Sequence, residues 1–236
     1  MKLQDLEVII VGNPPPSYGG RYFIFTKLTT DNGIVGYGEV YAATVGPQAM
    51  KAVIEDLFER YFQGCEPHRI EHLYRLCYSS GFTQRPDLTV MGAFSGLEIA
   101  CWDILGKSVD KPVHQLIGGE LNRQLRAYTY LYCAPGADEM AFYGDPIASA
   151  ERAVHYADLG FTAVKFDPAG SYHTHGGYQP ALAETTRCVD FCREIRAAVG
   201  DRADMLFGTH GQFTTGGAIR VAAAIEQYAP LWFEEP

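Results

Sequence analysis

Residues 203–236, ADMLFGTHGQFTTGGAIRVAAAIEQYAPLWFEEP, contain the pattern that decides the fold of this chain. An apolar run, ADMLFG, comes first, a helical pattern follows near residues 215–228, and a second apolar run, LWFEE, comes last. When a strand is followed by a helix and another strand, the two strands usually lie parallel and the connection is right-handed. The segment therefore predicts one strand–helix–strand unit of a parallel sheet.

The same alternation extends back to residue 125. Further apolar runs lie at 125–133 and 161–167, and helical patterns lie near 146–159 and 180–199. Such a repeat suits a doubly wound sheet or a β/α barrel. No glycine-rich phosphate loop follows the first strand, and polar residues stand at the carboxyl ends of successive strands, where barrel enzymes build their sites. We therefore predict an α/β chain with the first half of a TIM-like (β/α)8 barrel. Four strands do not close a barrel, so we expect its C-terminal half to be absent.

The N-terminal part has a different pattern. Extended runs separated by loops in residues 1–42 are most simply three antiparallel strands. Apolar residues at helical spacing then predict helices near 46–63, 68–79 and 89–108. We predict an α+β capping domain over 1–122 and the half barrel over 123–236.

The composition restricts the classes of partner. With 47% hydrophobic residues the chain can bury a large core, and its formal charge of −9 argues against nucleic acid or an anionic membrane as a partner. The N-terminus lacks an apolar stretch long enough for a signal peptide, and no run of 18 apolar residues occurs. We therefore expect a cytoplasmic protein. The six cysteines form no CxxC pair, which favours core or surface thiols over a zinc site.

Two motifs carry a resemblance to a known family. The first, A-x-W-D-x-x-G-K…P-V…L-x-G-G, comprises Ala100, Trp102, Asp103, Gly106, Lys107, Pro112, Val113, Leu116, Gly118 and Gly119. The second is the EEP of residues 234–236, with HGQF upstream at 210–213. With the predicted domain order, these residues resemble the mandelate racemase and muconate lactonizing branch of the enolase superfamily. Within that branch, the resemblance is strongest to sugar-acid dehydratases of the galactonate and mannonate type.

The resemblance implies a two-domain enzyme that acts on a small-molecule sugar acid. Such enzymes remove the proton α to a carboxylate, and Mg²⁺, or alternatively Mn²⁺, stabilises the enediolate; in dehydratases the β-hydroxyl then leaves, which gives a 2-keto-3-deoxy acid. Racemisation, epimerisation or cycloisomerisation of a related acid begins with the same proton abstraction and is one alternative. A truncated, non-catalytic homologue that acts as a binding or assembly module is the other. Relatives often assemble, so we expect a homo-oligomer.

The resemblance implies a metal ligand at Glu234, the first acid of EEP. The family's usual aspartate on the preceding strand falls on Gly208, which has no side chain to bind a metal. Asp167, at the end of the strand before that, is the nearest substitute by topology, and His210 is another. A site completed by water and a lost metal site are the remaining alternatives.

The resemblance gives His210 the role of general acid, since it matches the histidine that protonates the departing hydroxyl. Lys165 belongs to the motif KFD, in which Asp167 stands where many relatives carry a lysine base. A lysine base on this face is therefore not expected, and Lys165 either neutralises the substrate carboxylate or forms a structural ion pair. The base that the resemblance implies would lie on later strands, which this chain does not contain.

Loops are expected to set substrate specificity. The proline- and glycine-rich segment of residues 12–22 lies between cap strands, and from it Arg21 or Tyr18 could reach a sugar acid. Gln212 and Thr209 could hydrogen-bond substrate hydroxyls or merely complete their loop. His173 and His175 form an H-x-H pair that is a weak metal signal on a glycine-rich loop.

Overall fold

Two compact units make up the protein. A computed structural model describes residues 1–15, 17–41, 45–170 and 177–236. The units comprise Met1–Arg123 and Gln124–Pro236. The first holds an antiparallel sheet and the second a parallel one, which confirms the predicted α/β class. His173 and His175 lie outside the described residues.

The sheet of the N-terminal unit is an antiparallel meander of β1 (Leu3–Gly12), β2 (Tyr22–Thr30) and β3 (Val35–Val40). In β2, every second residue from Ile24 to Thr30 is buried. This alternation places one face of the sheet on the core, as the period of a strand requires. The predicted three-stranded arrangement is therefore present.

Helices α1 (Pro47–Leu57) and α3 (Leu88–Ser108) pack on that face of the sheet. Helices α2 (Ile70–Ser79) and α4 (Val113–Leu116) pack against α3. The helix predicted near 46–63 does not continue as an α-helix, because α1 is followed by a π-helical turn over Phe58–Phe62. The Asp87 side chain accepts hydrogen bonds from the first amides of α3 and so determines where this long helix begins.

Glycines allow α3 to lie directly on β3. A Cβ at Gly38 would lie 1.9 Å from the carbonyl oxygen of Gly96, and one at Gly36 would lie 2.2 Å from that of Ala100. The Thr26 hydroxyl, on β2, donates a hydrogen bond of 2.9 Å to the carbonyl of Gly96 on α3. This approach joins the helix and the sheet into one core.

The motif that begins at Ala100 has a structural role at the open edge of β3. The amide of Tyr37 donates to Asp103 Oδ2 at 2.9 Å. Lys107 Nζ donates to the same carboxylate at 2.7 Å and to the Val35 carbonyl at 2.8 Å. Side chains of α3 thus satisfy backbone groups that an edge strand would otherwise expose to another chain.

Helix α3 is long and apolar enough, by length and composition alone, to cross a membrane. A buried core helix can meet the same two criteria. Its residues Phe94, Leu97 and Ile104 are buried against the sheet and neighbouring helices of the N-terminal unit. The contacts therefore identify α3 as a core helix.

The sheet of the second unit is parallel. Its strands are β4 (Thr129–Tyr130), β5 (Ala163–Phe166), β6 (Asp204–Phe207) and β7 (Trp232–Phe233), paired in chain order. A doubly wound sheet would reverse the strand order at its switch point, whereas a barrel keeps it sequential. The observed order is that of a barrel. Strand β4 is shorter than the run predicted at 125–133.

The helices between these strands are α5 (Glu139–Phe142), α6 (Pro146–Asp158), α7 (Leu182–Val199) and α8 (Thr215–Ile225). Asp145 caps α6 and Thr214 caps α8, each by accepting hydrogen bonds from first-turn amides. Apolar side chains of these helices form one core with those of β5 and β6. The strands are thereby held in a register that brings their carboxyl ends to one edge.

Candidate active site

Three consecutive strands end level with one another. Phe166, Phe207 and Phe233, the last residues of β5, β6 and β7, pair in register. The ladder continues one residue further, because the Gly208 amide donates to the Phe166 carbonyl at 3.0 Å and the Glu234 amide donates to the Phe207 carbonyl at 2.8 Å. The residues that follow each strand, including the predicted Asp167 and Glu234, therefore stand at one edge of the sheet.

The carboxylate of Asp167 lies over Gly208. A Cβ built on Gly208 would lie 1.9 Å from Asp167 Oδ1 and 3.1 Å from Lys165 Cε. No side chain fits at position 208 unless Asp167 moves. Oδ1 itself is buried and has no hydrogen-bond partner among the described residues. A buried acceptor without a donor is costly in a folded protein, so it is a candidate ligand atom.

Lys165 and Glu234 form an ion pair. Lys165 Nζ lies 2.5 Å from Glu234 Oε2, and the two side chains are 13% and 29% exposed. Burial is the largest single influence on the pKa of Lys165 and lowers it. The hydrogen bond and charge of Glu234, together with the charge of Asp167, outweigh burial, so the pKa of Lys165 lies above its ordinary value. Lys165 is therefore a cation at neutral pH.

His210 pairs with the same aspartate. Its Nε2 lies 3.2 Å from Asp167 Oδ2, and its side chain is 48% exposed. The backbone of His210 has a φ of +56°, which is uncommon for a residue other than glycine. The turn thus directs an accessible imidazole onto a mostly buried carboxylate. Asp167 contacts both Gly208 and His210, and it brings the predicted residues of two strands together.

Thr209 and Gln212 differ in their surroundings. Thr209 is fully buried, and its hydroxyl donates to the carbonyls of Glu234 at 2.7 Å and Glu235 at 3.0 Å. Gln212 is 6% exposed, and its side-chain Oε1 has no hydrogen-bond partner among the described residues. The Thr209 hydroxyl is therefore used in hydrogen bonds to the backbone, whereas the side-chain oxygen of Gln212 is a candidate acceptor for a ligand.

Sequence reasoning missed two side chains that brace the turn after Asp167. Arg187, on α7, donates from Nε to the Pro168 carbonyl at 2.9 Å and from Nη2 to the Ala169 carbonyl at 2.8 Å. The Tyr178 hydroxyl donates to the Ala169 carbonyl at 3.2 Å. Their partners are backbone carbonyls, which every residue possesses, so no sequence signal marked these two residues.

The structure places Tyr18 and Arg21 in the loop between β1 and β2 of the N-terminal unit. Asn13 orders this loop, because its side-chain amide donates to the carbonyls of Tyr18 at 2.9 Å and Gly20 at 2.6 Å. Arg21 is exposed and lines a cavity of about 760 Å³ whose wall also includes Glu39. Contact of either residue with a substrate remains a prediction.

Two carboxylates at this edge of the sheet offer oxygen atoms of the kind that bind a divalent metal ion. Across the described residues, no group of three or more His, Cys, Asp and Glu side chains is arranged to hold a metal ion. Mg²⁺ in proteins is usually bound by one or two carboxylates and completes its octahedron with water and substrate oxygens. Asp167, whose Oδ1 has no partner within the described ranges, and Glu234 offer oxygen atoms of this kind.

Comparison with known proteins agrees with this architecture. Residues 16–118 match the family model of the mandelate racemase/muconate lactonizing enzyme N-terminal domain, and residues 148–236 match that of the enolase C-terminal domain-like family. A D-gluconate/D-galactonate dehydratase of Picrophilus torridus is 31% identical over 99% of this chain and 57% of its own length. A D-xylonate dehydratase of Haloferax volcanii is 32% identical over 100% of this chain and 54% of its own length.

A solved structure of similar fold is also related in sequence. The mandelate racemase/muconate lactonizing enzyme from Sulfitobacter sp. is 64% identical with a TM-score of 0.95, and the match covers 100% of this chain and 60% of that one. The chain thus spans somewhat more than half the length of these relatives. It belongs to the mandelate racemase/muconate lactonizing enzyme family of the enolase superfamily and resembles that family's sugar-acid dehydratases.

Proposed function

We propose that the whole protein dehydrates a sugar acid. The proton α to the substrate carboxylate is removed, the β-hydroxyl leaves as water, and the product is a 2-keto-3-deoxy acid. Two relatives at about 30% identity are named dehydratases of the sugar acids gluconate, galactonate and xylonate, which supports this reaction class. The acidic chain, with a net charge of −9, would hold an anionic substrate through local cations.

Asp167 and Glu234 would hold Mg²⁺ or Mn²⁺ in this proposal. A divalent cation at that position supplies electrostatic stabilisation of the negative charge that develops on the substrate carboxylate. The observation that carries the assignment is the carboxylate of Asp167 over Gly208, with Oδ1 buried and without a hydrogen-bond partner among the described residues. The aspartate that the family places on β6 is replaced by one from β5, and its carboxylate lies where the missing side chain would begin.

The other side chains act on the substrate directly. Lys165, a cation at neutral pH, binds the substrate carboxylate and cannot serve as the base. His210 is accessible and acts as the general acid that gives its proton to the departing hydroxyl, while Asp167 orients the ring. Gln212 accepts a hydrogen bond from a substrate hydroxyl through Oε1, which has no partner in the part of the chain that the structure describes.

The proposal includes contact of Arg21 or Tyr18, in the loop between β1 and β2, with a sugar acid. Arg21 is exposed beside a cavity and offers a guanidinium for a carboxylate, and Tyr18 offers a hydroxyl. The same proposal includes a cytoplasmic location and assembly as a homo-oligomer. The molecular mass of the protein in solution would test the assembly.

An experiment that moves the aspartate from position 167 to position 208 tests the metal assignment. Asp167→Ala, Gly208→Asp and the double variant would be compared for Mn²⁺ binding and for 2-keto acid formation on a panel of aldonic and aldaric acids. Each single variant should lose affinity, the first through a lost ligand and the second through a clash. The double variant should regain Mn²⁺ affinity, because its aspartate then stands on β6. Asp158→Ala, at an exposed ion pair, is the matched control.

Three results would redirect the proposal. Unchanged Mn²⁺ binding in Asp167→Ala would remove Asp167 from the site. Exchange of the α-proton with D₂O without keto acid formation would assign racemisation or epimerisation. Absence of both reactions on every acid would favour a non-catalytic binding module.

A further inference from the structure

We infer that Thr209 is a positioning residue: its hydroxyl fixes the backbone that carries Glu234 and thereby sets the affinity of the cation site. The inference rests on the proposed function, since it concerns the same site. Thr209 follows Gly208 at the end of β6, and its side chain is completely buried. A buried hydroxyl keeps its place through the hydrogen bonds that it makes.

The hydroxyl of Thr209 joins the ends of two strands. It lies 2.7 Å from the Glu234 carbonyl oxygen and 3.0 Å from the Glu235 carbonyl oxygen. A hydroxyl has a single hydrogen to donate, so the two carbonyls share it as a three-centre hydrogen bond. One side chain from the segment after β6 therefore holds two consecutive peptide units after β7.

The segment after β7 needs such a tether. Strand β7 contains only Trp232–Phe233, and the ladder beyond it continues through the Glu234 amide. At Glu235 the backbone turns with a φ of +29°, outside the extended region that a strand would favour. The Thr209 hydroxyl binds the carbonyls on both sides of this turn, so it determines the direction in which the Glu234 carboxylate leaves the strand.

Thr209 is also flanked in the sequence by two residues that contact Asp167. The Asp167 carboxylate lies over Gly208, which precedes Thr209, and it pairs with His210, which follows Thr209. A shift of Thr209 would move Glu234 relative to Asp167. Groups that orient metal ligands without touching the metal typically change metal affinity by about 10- to 100-fold when they are removed.

A pair of substitutions isolates the hydroxyl. Thr209→Val keeps the shape of the side chain and removes the donor, whereas Thr209→Ser keeps the donor. Mn²⁺ binding to the purified protein would be measured by titration calorimetry. We expect the dissociation constant to rise at least tenfold in Thr209→Val and to stay within about threefold of the native value in Thr209→Ser.

Thr26→Val is the matched control for general destabilisation. Thr26 is also completely buried and donates to a backbone carbonyl, that of Gly96, but it lies in the core of the N-terminal unit. It should lower the thermal midpoint without changing the Mn²⁺ dissociation constant. If Thr209→Val does not fold, Thr209→Ala replaces it in the comparison with Thr209→Ser.

The outcomes separate this inference from the proposed function. Equal Mn²⁺ affinity of Thr209→Val and the native protein, or an equal loss in Thr209→Ser, would overturn the positioning role. Absence of Mn²⁺ binding by the native protein would instead refute the metal site. In that case the unfolding free energies of Thr209→Val, Glu234→Gln and the double variant test whether Thr209 positions Glu234. Effects of the two substitutions that do not add in the double variant support the positioning role, and additive effects refute it.

Discussion

Asp167 and Gly208 are coupled through space: the carboxylate of the first occupies the volume in which a side chain of the second would begin, 1.9 Å from a built Cβ. The two residues directly follow neighbouring strands and are 41 positions apart in the sequence. Glycine at position 208 leaves room for Asp167 Oδ1, which is buried and has no hydrogen-bond partner among the described residues. Several consequences can be measured.

Gly208→Ala should displace Asp167. The added methyl group would overlap the carboxylate, so Asp167 must rotate away from its position. We expect a loss of Mn²⁺ affinity of about tenfold or more, as for other changes that misplace a metal ligand. Titration with Mn²⁺ measures this directly. Gly144→Ala, where a Cβ would meet its nearest neighbour at an ordinary 3.5 Å, is the control, and equal affinities of the two variants would contradict the prediction.

Gly38→Ala should destabilise the N-terminal unit. A Cβ at this position would lie 1.9 Å from the Gly96 carbonyl oxygen, so α3 must move away from β3. Overpacking of a core costs about 1–3 kcal/mol, and the contact here is with backbone, which yields less than a side chain. Urea denaturation followed by circular dichroism would show a lower midpoint. Gly12→Ala, which meets nothing within 4 Å, should leave the midpoint unchanged.

The Lys165–Glu234 ion pair should stabilise the protein in a pH-dependent way. The folded-state pKa of Lys165 lies above its ordinary value of 10.5, so folding favours the protonated lysine. Its stabilisation is fully present below pH 10.5 and is lost as the pH rises through the folded pKa. Lys165→Met should lower the free energy of unfolding at pH 8 by about 1–3 kcal/mol, because Glu234 loses its partner.

Chemical denaturation of the native protein and Lys165→Met, at pH 8 and again above pH 11, measures this effect. The difference between the two proteins should shrink at the higher pH. A difference that stays constant would show that the ammonium charge of Lys165 contributes nothing to stability.

The thiols should divide into one reactive cysteine and five unreactive ones. Burial raises the pKa of Cys77, Cys101 and Cys188 to about 12. At pH 8 such a thiol is ionised in on the order of one molecule in ten thousand, and the thiolate is the reactive form. Cys65 is half-buried, whereas the other five cysteines are buried.

A colorimetric thiol reagent at pH 8 should therefore titrate about one cysteine quickly in the native protein and all six after denaturation. Cys65→Ser should abolish the fast phase. Rapid reaction of further thiols in Cys65→Ser would show that the cores open more readily than their burial indicates.

The secondary structure was largely predictable because strands and helices depend on local patterns of apolar residues. The extended run at residues 21–30 predicted β2, and helical spacing predicted α3 within one residue of its start, where Asp87 caps it. Strand β4 was predicted too long, since apolar residues at 125–133 do not all join the ladder. An apolar run indicates burial, but pairing with a neighbouring strand requires the right register as well.

The sequence by itself determined the order of strands and helices, the family, and the polar residues that end successive strands. Only the tertiary structure decided their pairing: Asp167 with Gly208 and His210, Lys165 with Glu234, and the Thr209 hydroxyl with the backbone after β7. The physical reason is that these contacts depend on the register of parallel strands separated by whole helices. Local periodicity specifies each strand, whereas packing of the shared core specifies how far one strand slides past the next.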